Sequence, residues 1–501
     1  MNIGIWILGN QLHLEQAALL SCKNNKQETP VIFIESHNYI QKRPYHQQKL
    51  VLVFSAMRHF AEELSSQGWQ VSYKVAHDFE SALNNWIKEN KITELRVVSP
   101  CDRPFLRRIQ SFKLDCKTKF ISNNHFLWSN EEFKQWNDSR KRLLLEDFYR
   151  EGRKRFNILM DEDQPIGDKW NFDKQNRKPP KQNLNPPTPL WFEPDAITEQ
   201  VIKDIKSYKI ASYGKIEPFK WGVTRSQALQ VLDHFLENNL NNFGAYQDAM
   251  ITGEYTMWHS LISPYINLGL LTPLEVIQKI EKAYHEFDYP LNSVEGLIRQ
   301  ILGWREYMYG IYQLMDDDYR DKNWFDHQEN LPAFYWDSSQ TDMNCLKQIL
   351  QQVEETGYAH HIQRLMVLSN FALIIGVSPQ AINDWFHSAF IDGYDWVMVP
   401  NVIGMGQFAD GGILASKPYA ASANYINKMS DYCKSCEYKQ TKRTGEKACP
   451  FNFFYWDFLS RHQEKLKSLG RMNLVLANLK KIDSEELQEI QSQSQQWKED
   501  H

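Results

Sequence analysis

The sequence lacks several features that would assign its class at once. Its 501 residues contain no run of about 18 uninterrupted apolar residues, so no segment can cross a bilayer as a helix. The first residues, MNIGIWILGNQL, lack the basic region and the small-residue cleavage site of a secretory signal. The net charge of -5 excludes a global basic field, so any contact with nucleic acid must come from a local patch. We expect a soluble, cytoplasmic protein that makes no membrane contact.

Cysteine is also scarce, and the number is odd. Seven cysteines without a secretory context argue against a disulfide framework and favour redox or metal chemistry for those that cluster. No GxGxxG motif occurs, so a dinucleotide fingerprint is not supported. Aromatic residues are plentiful, with 16 Trp, which suits either a rigid core or a ring cofactor. Basic residues cluster in two runs, each of which is either a solvated surface or a DNA contact: Arg140, Lys141, Arg142, Arg150, Arg153, Lys154 and Arg155, then Lys439, Lys442, Arg443 and Lys447.

Residues 1–130 alternate short apolar stretches with amphipathic ones, a pattern that predicts a doubly wound parallel sheet with helices on both faces. The turn Gly9-Asn10-Gln11 follows the first strand, at the carboxyl edge where such sheets bind ligands. The predicted strands are Ile3 to Leu8, Val31 to Glu35, Val71 to Val75, Leu95 to Val98 and Lys119 to Ile121.

A change of composition separates this region from a second, larger domain. Between about Asp163 and Pro194 the chain is rich in Pro, Asn and Lys, so residues 131–218 are predicted to connect two domains. From residue 219 to 501 the apolar positions recur at three and four residues, which predicts an all-helical domain. The polar, Gln-rich tail after Leu476 is expected to form one exposed helix with a frayed end.

Cysteine spacing gives the strongest chemical signal. Cys433 and Cys436 are separated by two residues, and Cys449 is followed by Pro450, so three thiolates can hold one metal centre. Cys345 is the other cysteine of the helical half and completes a set of four. An iron-sulfur cluster and a tetrahedral zinc site would use the same residues, and inert reduced thiols remain a third alternative.

Three further motifs each have a functional and a structural interpretation. Trp258 to Pro264 (WHSLISP) offers hydroxyl and backbone N–H groups for phosphates, or is simply a helix cap. His360 and His361 are adjacent in a predicted helix from Tyr358 to Ile375, so their imidazoles diverge by about 100 degrees and cannot share one face. The glycine-rich segment from Asn401 to Gly412 lets backbone approach a flat ligand, or is an ordinary irregular loop.

Taken together, these segments resemble the iron-sulfur branch of the photolyase and cryptochrome family, the prokaryotic (6-4) type. The resemblance covers nearly the whole chain, and its most specific segments occur in the family's order: GWREYMYGIY, YAHHIQRLM, NVIGMGQFADGG, KPYAASANYINKMSDYCKSC and ACPFNFFYWDFL. It implies FAD in the helical domain and a [4Fe-4S] cluster on Cys345, Cys433, Cys436 and Cys449. It also implies an antenna chromophore, 6,7-dimethyl-8-ribityllumazine, in the sheet domain.

The resemblance further implies roles for individual residues. The residues expected to bind or line the flavin are Ser260, Leu261, Ile262, Ser263, Gln300, Arg305, Arg364, Asn401, Asp410 and Asn424. Trp336 and Trp385 match electron-relay positions, and Phe386 stands where relatives can carry a relay tyrosine. The antenna candidates are Gly9, Asn10, Gln11, Glu35 and Lys49, although an acidic residue is common at the position of Asn10. The catalytic candidates are His361, as the proton donor, with His360, Trp304, Tyr419 and Tyr425.

The implied activity is light-dependent repair of (6-4) lesions by electron transfer from photoexcited reduced FAD. The substrate is single- or double-stranded damaged DNA with the lesion flipped out of the stack, and the enzyme is expected to act as a monomer. A cryptochrome-like blue-light receptor that does not repair DNA is the alternative, since one fold can serve both functions. A zinc-bearing structural DNA binder is a third interpretation and predicts a colourless protein.

Overall fold

The amino-terminal part of the chain forms a five-stranded parallel sheet. A computed structural model describes residues 2–180 and 184–500. The strands lie in the order β3-β2-β1-β4-β5 and pair in parallel, for example Ile5 opposite Val31. This confirms the predicted fold class. The strands are β1 Ile3–Trp6, β2 Pro30–Ser36, β3 Gln70–Ala76, β4 Glu94–Val98 and β5 Lys117–Ile121; Met160–Asp161 and Gln164–Pro165 form a separate hairpin, β6 and β7.

Helices make up most of the remaining described chain. The α-helices, numbered α1 to α23 in chain order, are Ala17–Leu20, His37–Ile40, Gln47–Ser66, Phe79–Glu89, Arg103–Gln110, Asn130–Asp138, Leu145–Phe156, Ala196–Ser207, Arg225–Asn238, Leu240–Tyr246, Ser263–Leu268, Pro273–Glu286, Leu291–Ile298, Glu306–Leu314, Asn344–Thr356, Asn370–Ile375, Pro379–Ala389, Asp395–Val399, Ala423–Met429, Pro450–Arg461, Gln463–Lys467, Asn473–Leu479 and Ser484–Asp500. Short 3-10 turns are Lys23–Glu28, Ile166–Asp168, Asp173–Gln175, Asp317–Asp321, Ala333–Tyr335, Ser338–Gln340, Tyr432–Ser435 and Gly470–Met472.

Three stretches of the described residues are wound as π-helix. They are Arg299–Arg305, Gln363–Ser369 and Pro400–Gly406. A π turn contains an extra residue and interrupts the hydrogen-bond ladder of the α-helix, so such turns occur mostly at functional sites. The last of these stretches corrects the irregular-loop interpretation of the glycine-rich segment, because Asn401 to Gly406 is helical.

The sheet is joined to the helical half through α3. At the start of this helix His46 is fully buried. Its Nδ1 accepts from the Gln48 amide at 3.1 Å, so its Nε2 carries the proton and donates to the Glu354 carbonyl of α15 at 3.1 Å. Lys49, one turn further on, donates to the carbonyls of His387 and Gly393. The carboxyl edge of the sheet therefore lies against the segment from α17 to α18.

The structure bears on three further predictions, which concern the connector, the tail helix and membrane-spanning segments. The predicted connector, residues 131–218, contains α7 and α8, and residues 181–183 of it lie outside the described residues, so its boundaries stay predictions. The tail helix α23 is not an exposed helix, because Ile490 is fully buried and the Trp497 ring lies 5.2 Å from that of Phe454. No helix among the described residues is long and apolar enough to span a membrane.

The first basic run is partly engaged within the protein, whereas Lys141, Arg142 and Lys154 are exposed. Arg153 is fully buried and donates to the carbonyls of Ile158 and Leu159. Its neighbours are paired within the protein, Arg150 with Glu146, Arg155 with Glu132 and Arg140 with Glu151. In the second run, Arg443 pairs with Glu486 and Lys447 with Glu437. Five of the eleven charges in the two runs are thus paired with carboxylates of the chain itself.

Candidate functional site

The three π-helical segments meet around a cavity of about 320 Å³ in the helical half, here called the large cavity. Each contributes to its wall, as does the segment WHSLISP that precedes α11. Ten predicted site residues line it together: Ser260, Leu261, Ile262, Ser263, Gln300, Trp304, Arg305, His361, Arg364 and Asn401. These residues come from four separate stretches of sequence, so only the tertiary fold brings them to one place.

A buried ion pair fixes one wall of the large cavity. Arg364 donates from both terminal nitrogens to the carboxylate of Asp392, at 2.8 and 3.1 Å. The hydroxyl of Ser263 donates to the same carboxylate at 2.7 Å. A bidentate pair of this kind holds both side chains in one orientation. Asp392 therefore joins the WHSLISP segment to the second π-helical segment, a role that no sequence signal had assigned to it.

The backbone of the WHSLISP segment is strained where it meets the large cavity. Leu261 has a φ of 56°, in the left-handed region that a branched apolar residue rarely adopts. Strain of this kind costs roughly 1–3 kcal/mol and persists only where the surrounding structure enforces it, typically at binding sites. Leu261 is itself buried in the core, which holds the segment in place.

The two adjacent histidines have different surroundings. His361 lines the large cavity and is exposed there, while desolvation by the surrounding protein and then the nearby Arg364 guanidinium lower the pKa of its imidazole to about 4. His360 lies outside the lining, where its ring stacks on that of His259 at 4.5 Å. The two rings thus diverge, but the helical stretch begins at His361 and not at Tyr358 as predicted, so His360 lies in irregular backbone just before it. His361 is the one that a ligand in the large cavity can reach.

Other predicted residues lie outside the lining. Tyr419 and Tyr425 pack against the cluster of Met308, Leu365 and Met405, and these three residues do line the large cavity. Asp410 accepts from the Leu414 amide at 3.1 Å and from the Tyr319 hydroxyl at 2.9 Å, so its carboxylate holds the turn after the third π-helical segment. Asn424 is exposed. The predicted flavin contacts of Asp410 and Asn424 stay predictions.

A row of aromatic side chains leads away from the large cavity. Phe386 lies in its wall, and the Trp385 ring is 5.2 Å from that of Phe386. Trp385 is fully buried, 5.1 Å from the Tyr335 ring, and donates through Nε1 to the Tyr335 carbonyl at 2.8 Å. Trp336, the next residue, is 38% exposed. The row therefore runs from the wall of the large cavity to the surface.

The four predicted metal ligands surround one small pocket. Cys345 lies in the first turn of α15, Cys433 lies within the 3-10 turn Tyr432–Ser435, Cys436 directly follows that turn, and Cys449 precedes α20. Burial, and then the neighbouring cysteines, raise the pKa of the Cys345 thiol well above its usual value. Among the described residues no three His, Cys, Asp or Glu side chains are arranged to hold a single metal ion.

A second cavity, of about 130 Å³, opens at the carboxyl edge of the sheet and is here called the edge pocket. Gly9, Asn10 and Lys49 of the predicted antenna set line it, whereas Gln11 and Glu35 do not. Gln11 instead donates to the Val98 carbonyl at 3.0 Å, and Glu35 pairs with Arg58. Its walls are largely aromatic, formed by Trp6, Tyr39, Tyr45, Phe79, Phe105 and Tyr394.

One segment, residues 385–399, forms a wall of both cavities. Phe386 faces the large cavity, whereas its neighbour His387 lines the edge pocket. In the same way Trp396 lines the large cavity and Tyr394 the edge pocket. Sequence reasoning assigned no role to His387, Tyr394 or Trp396, because each is a single aromatic residue in a chain rich in them. The short sequence Asp392 to Trp396 (DGYDW), in which aromatic and acidic residues alternate closely, was the one local pattern that could have indicated a site near Tyr394 and Trp396.

Comparison with known proteins identifies similar sequences and similar structures. The family model described as deoxyribodipyrimidine photo-lyase-related protein matches residues 5–221. The chain is 45% identical to the (6-4) photolyase of Agrobacterium fabrum over 478 residues, 93% of each chain. The structure is similar to a bacterial class III photolyase from Agrobacterium tumefaciens (TM-score 0.62, 15% identity, 93% of this chain and 98% of that one). It is also similar to a cryptochrome from Synechocystis (TM-score 0.57, 14% identity, 85% and 88%).

The structural neighbours are distant in sequence and bear on the fold alone, whereas the Agrobacterium fabrum relative is close along almost its full length. That relationship spans the sheet, the large cavity and the four cysteines. The chain therefore belongs to the photolyase and cryptochrome family.

Proposed function

We propose that this protein is a (6-4) photolyase, which uses light to repair (6-4) lesions in DNA with FAD bound in the large cavity. One observation carries the proposal: His361, the expected proton donor, lines the same cavity as the residues expected to hold the flavin. The 45% identity to a relative of that name over 93% of the chain supports it. A lesion would reach the cavity by leaving the base stack, as in other enzymes that act on single bases.

The residues of the large cavity suit FAD. Its volume and apolar walls suit a flat ring, and Ser260 offers a hydroxyl to phosphates, whereas the Ser263 hydroxyl already donates to Asp392. Arg305 also lines the cavity, and its Nε is buried without a hydrogen-bond partner among the described residues. Bound in its reduced form and illuminated, FAD supplies one electron to the lesion and regains it after repair. Arg305, Gln300 and Asn401 would orient the ring by hydrogen bonds.

His361 would supply the proton that the migrating oxygen of the lesion needs. Its lowered pKa means that the imidazole is neutral in the free protein near pH 7. The phosphates of a bound DNA strand bring negative charge beside it, which favours the imidazolium form. Binding of the substrate would thus charge the donor at the moment it is needed. Tyr419 and Tyr425, beside the cluster of Met308 and Leu365, would pack against the flipped bases.

The decisive experiment is repair of a (6-4) lesion in an oligonucleotide, compared in light and in darkness. We expect repair in light alone, and its loss in His361→Ala with one FAD still bound per chain. His285→Ala, an exposed histidine of α12, is the matched control and should repair normally. Flavin photochemistry without repair in the wild-type protein would instead identify a cryptochrome-like receptor. Normal repair by His361→Ala would remove His361 from the mechanism.

The aromatic row from Phe386 to Trp336 would reduce the flavin from the surface. Electron transfer favours short gaps between rings, and Trp385 has neighbours on both sides at just over 5 Å. We expect Trp385→Phe to slow photoreduction while leaving repair by chemically reduced protein intact. If both were unchanged, the electron would take another route.

The four cysteines would hold the [4Fe-4S] cluster. The donor set is all sulfur, and a ring of thiols around one pocket suits a cluster. The electrostatic cost of four clustered thiolates, two of them buried, would be offset by bound iron. Iron and sulfide at four each per chain, lost in Cys345→Ser, would support this assignment, whereas one zinc per chain would refute it.

The edge pocket, lined by Gly9, Asn10 and Lys49, would bind the antenna chromophore 6,7-dimethyl-8-ribityllumazine.

A further inference from the structure

Another cavity lies beside the edge pocket. This wider cavity of about 440 Å³, here called the vestibule, shares five of the edge pocket's lining residues, so the two cavities adjoin. The shared residues are Tyr39, Tyr45, Asp102, Phe105 and His387. The edge pocket is walled by rings, whereas the vestibule is lined mainly by charged side chains. A molecule with a flat ring and a polar tail would fill both.

Cations dominate the vestibule. Lys42, Arg43, Arg108 and Arg320 all line it, together with Asp102, Asp384 and Asp395. Two of the carboxylates are already engaged, Asp384 with Arg43 and Asp395 with Arg320. Burial, and then the nearby Asp395, raise the pKa of the third, Asp102, to about 7. Near neutral pH, therefore, the negative charge of Asp102 is reduced.

The other two cations form no ion pair among the described residues, although Nη2 of Arg108 donates to the Asn38 side-chain oxygen at 3.2 Å. Among residues 2–180 and 184–500 no carboxylate lies within ion-pair distance of Lys42 or Arg108. The two side chains approach the Tyr39 ring, at 6.0 and 5.9 Å. The Nη1 of Arg108 is buried without a hydrogen-bond partner. Burial, then Arg108 and Arg43, lower the pKa of Lys42, which shows that like charges face each other here.

Like charges held together beside an unsatisfied buried donor are typical of a site that receives an anion. We infer that the vestibule is an anion subsite, which binds the phosphate at the end of a chromophore's ribityl chain while the ring lies in the edge pocket. The ligand class is thus a ribityl phosphate of a flavin or lumazine, and the uncharged ribityl compound is the weaker ligand. This inference rests on the antenna role proposed for the edge pocket.

The experiment compares riboflavin with FMN, which differ by the terminal phosphate alone. Full-length protein loaded with FAD is titrated with each at low and high salt, and binding is followed by quenching of chromophore fluorescence. We expect FMN to bind about tenfold or more tightly than riboflavin at low salt, since a charge-assisted hydrogen bond contributes about that factor. The advantage should shrink at high salt. Inorganic phosphate should compete with the tail of FMN and leave riboflavin binding unchanged.

Substitutions in the vestibule test the contribution of the phosphate tail of FMN separately from that of its ring. Lys42→Gln and Arg108→Gln should each weaken FMN by about three- to tenfold and leave riboflavin unaffected. Lys88→Gln, an exposed lysine of α4 outside both cavities, is the control for a lost surface charge. Equal affinity for FMN and riboflavin, or equal weakening of both, would overturn the anion subsite alone. Failure of either compound to bind would overturn it together with the antenna role, while light-dependent repair would test the flavin assignment separately.

Discussion

The large cavity and the vestibule lie on opposite sides of residues 385–399, and they treat charge differently. In the large cavity each arginine has a carboxylate of the chain itself, Arg364 with Asp392 and Arg305 with Glu306. In the vestibule Lys42 and Arg108 have none. Cationic side chains that are paired with carboxylates of the chain stabilise the cavity wall, whereas those without such a partner can bind an anionic ligand. The same residue type therefore has a structural role on one side and a binding role on the other.

The largest expected effect comes from breaking an internal pair. Arg364→Gln leaves the Asp392 carboxylate, 7% exposed, without its partner, and uncompensated buried charge costs about 3–5 kcal/mol. The large cavity should distort, and FAD should be lost. Urea denaturation and FAD content per chain measure the two consequences.

The matched change on the other side is Arg43→Gln. Its partner Asp384 has a side chain that is 60% exposed, so water replaces the arginine at a cost below about 1 kcal/mol. FAD content should stay at one per chain. Equal shifts of the urea midpoint in the two variants would show that burial does not distinguish the two pairs.

A smaller effect is expected from adding one methyl group on each side. A Cβ on Gly406 would lie 2.3 Å from the Ser369 Oγ, where two π-helical segments touch. Gly406→Ala should therefore cost about 1–3 kcal/mol by overpacking and should weaken FAD binding. A Cβ on Gly9, in the edge pocket, meets the tips of Met57 and Val53 at 3.0 Å, and these flexible side chains can yield. Thermal unfolding of FAD-loaded Gly9→Ala should differ little from wild type; a larger loss there than in Gly406→Ala would contradict this argument.

These two glycines also show how far the sequence could predict the structure. The edge pocket follows from a general rule, because parallel strands present their carboxyl ends at one edge, and Gly9-Asn10 follows β1. The large cavity follows no such local rule. Gly404 and Gly406 suggested backbone approaching a ligand, whereas a Cβ on either would first meet Tyr319 or Ser369 of the protein itself. Their need for small size arises from contacts between segments far apart in sequence.

Side-chain direction was hard to predict from local patterns. A helix starting at Tyr358 was predicted to separate the rings of His360 and His361. The helical stretch begins only at His361, however, so His360 turns toward His259 from irregular backbone. The extra residue of a π turn shifts every later side chain relative to the α-helical period, so periodicity could not identify which residues of Gln363–Ser369 line the large cavity. Asp392 and Asp102 were missed for another reason, since each acts through a partner from a distant segment.

The smallest expected effect is a pH dependence of FMN binding, confined to the edge pocket and the vestibule. Burial lowers the pKa of Lys49, in the edge pocket, to about 7, and the pKa of Asp102 is raised to about 7. As pH rises from 7 to 8.5, Lys49 loses positive charge and Asp102 gains negative charge, so both changes disfavour a phosphate. FMN affinity should fall severalfold across this interval.

The large cavity should not respond over the same interval. Desolvation by the surrounding protein lowers the pKa of both His259 and His361 to about 4, so neither ring changes charge between pH 7 and 8.5. FAD content, measured on the same samples, should therefore stay constant. Asp102→Asn removes one of the two titrating groups near the phosphate and should make the FMN curve shallower. A parallel loss of FAD and FMN would mean that the shared wall, and not the charge of the vestibule, responds to pH.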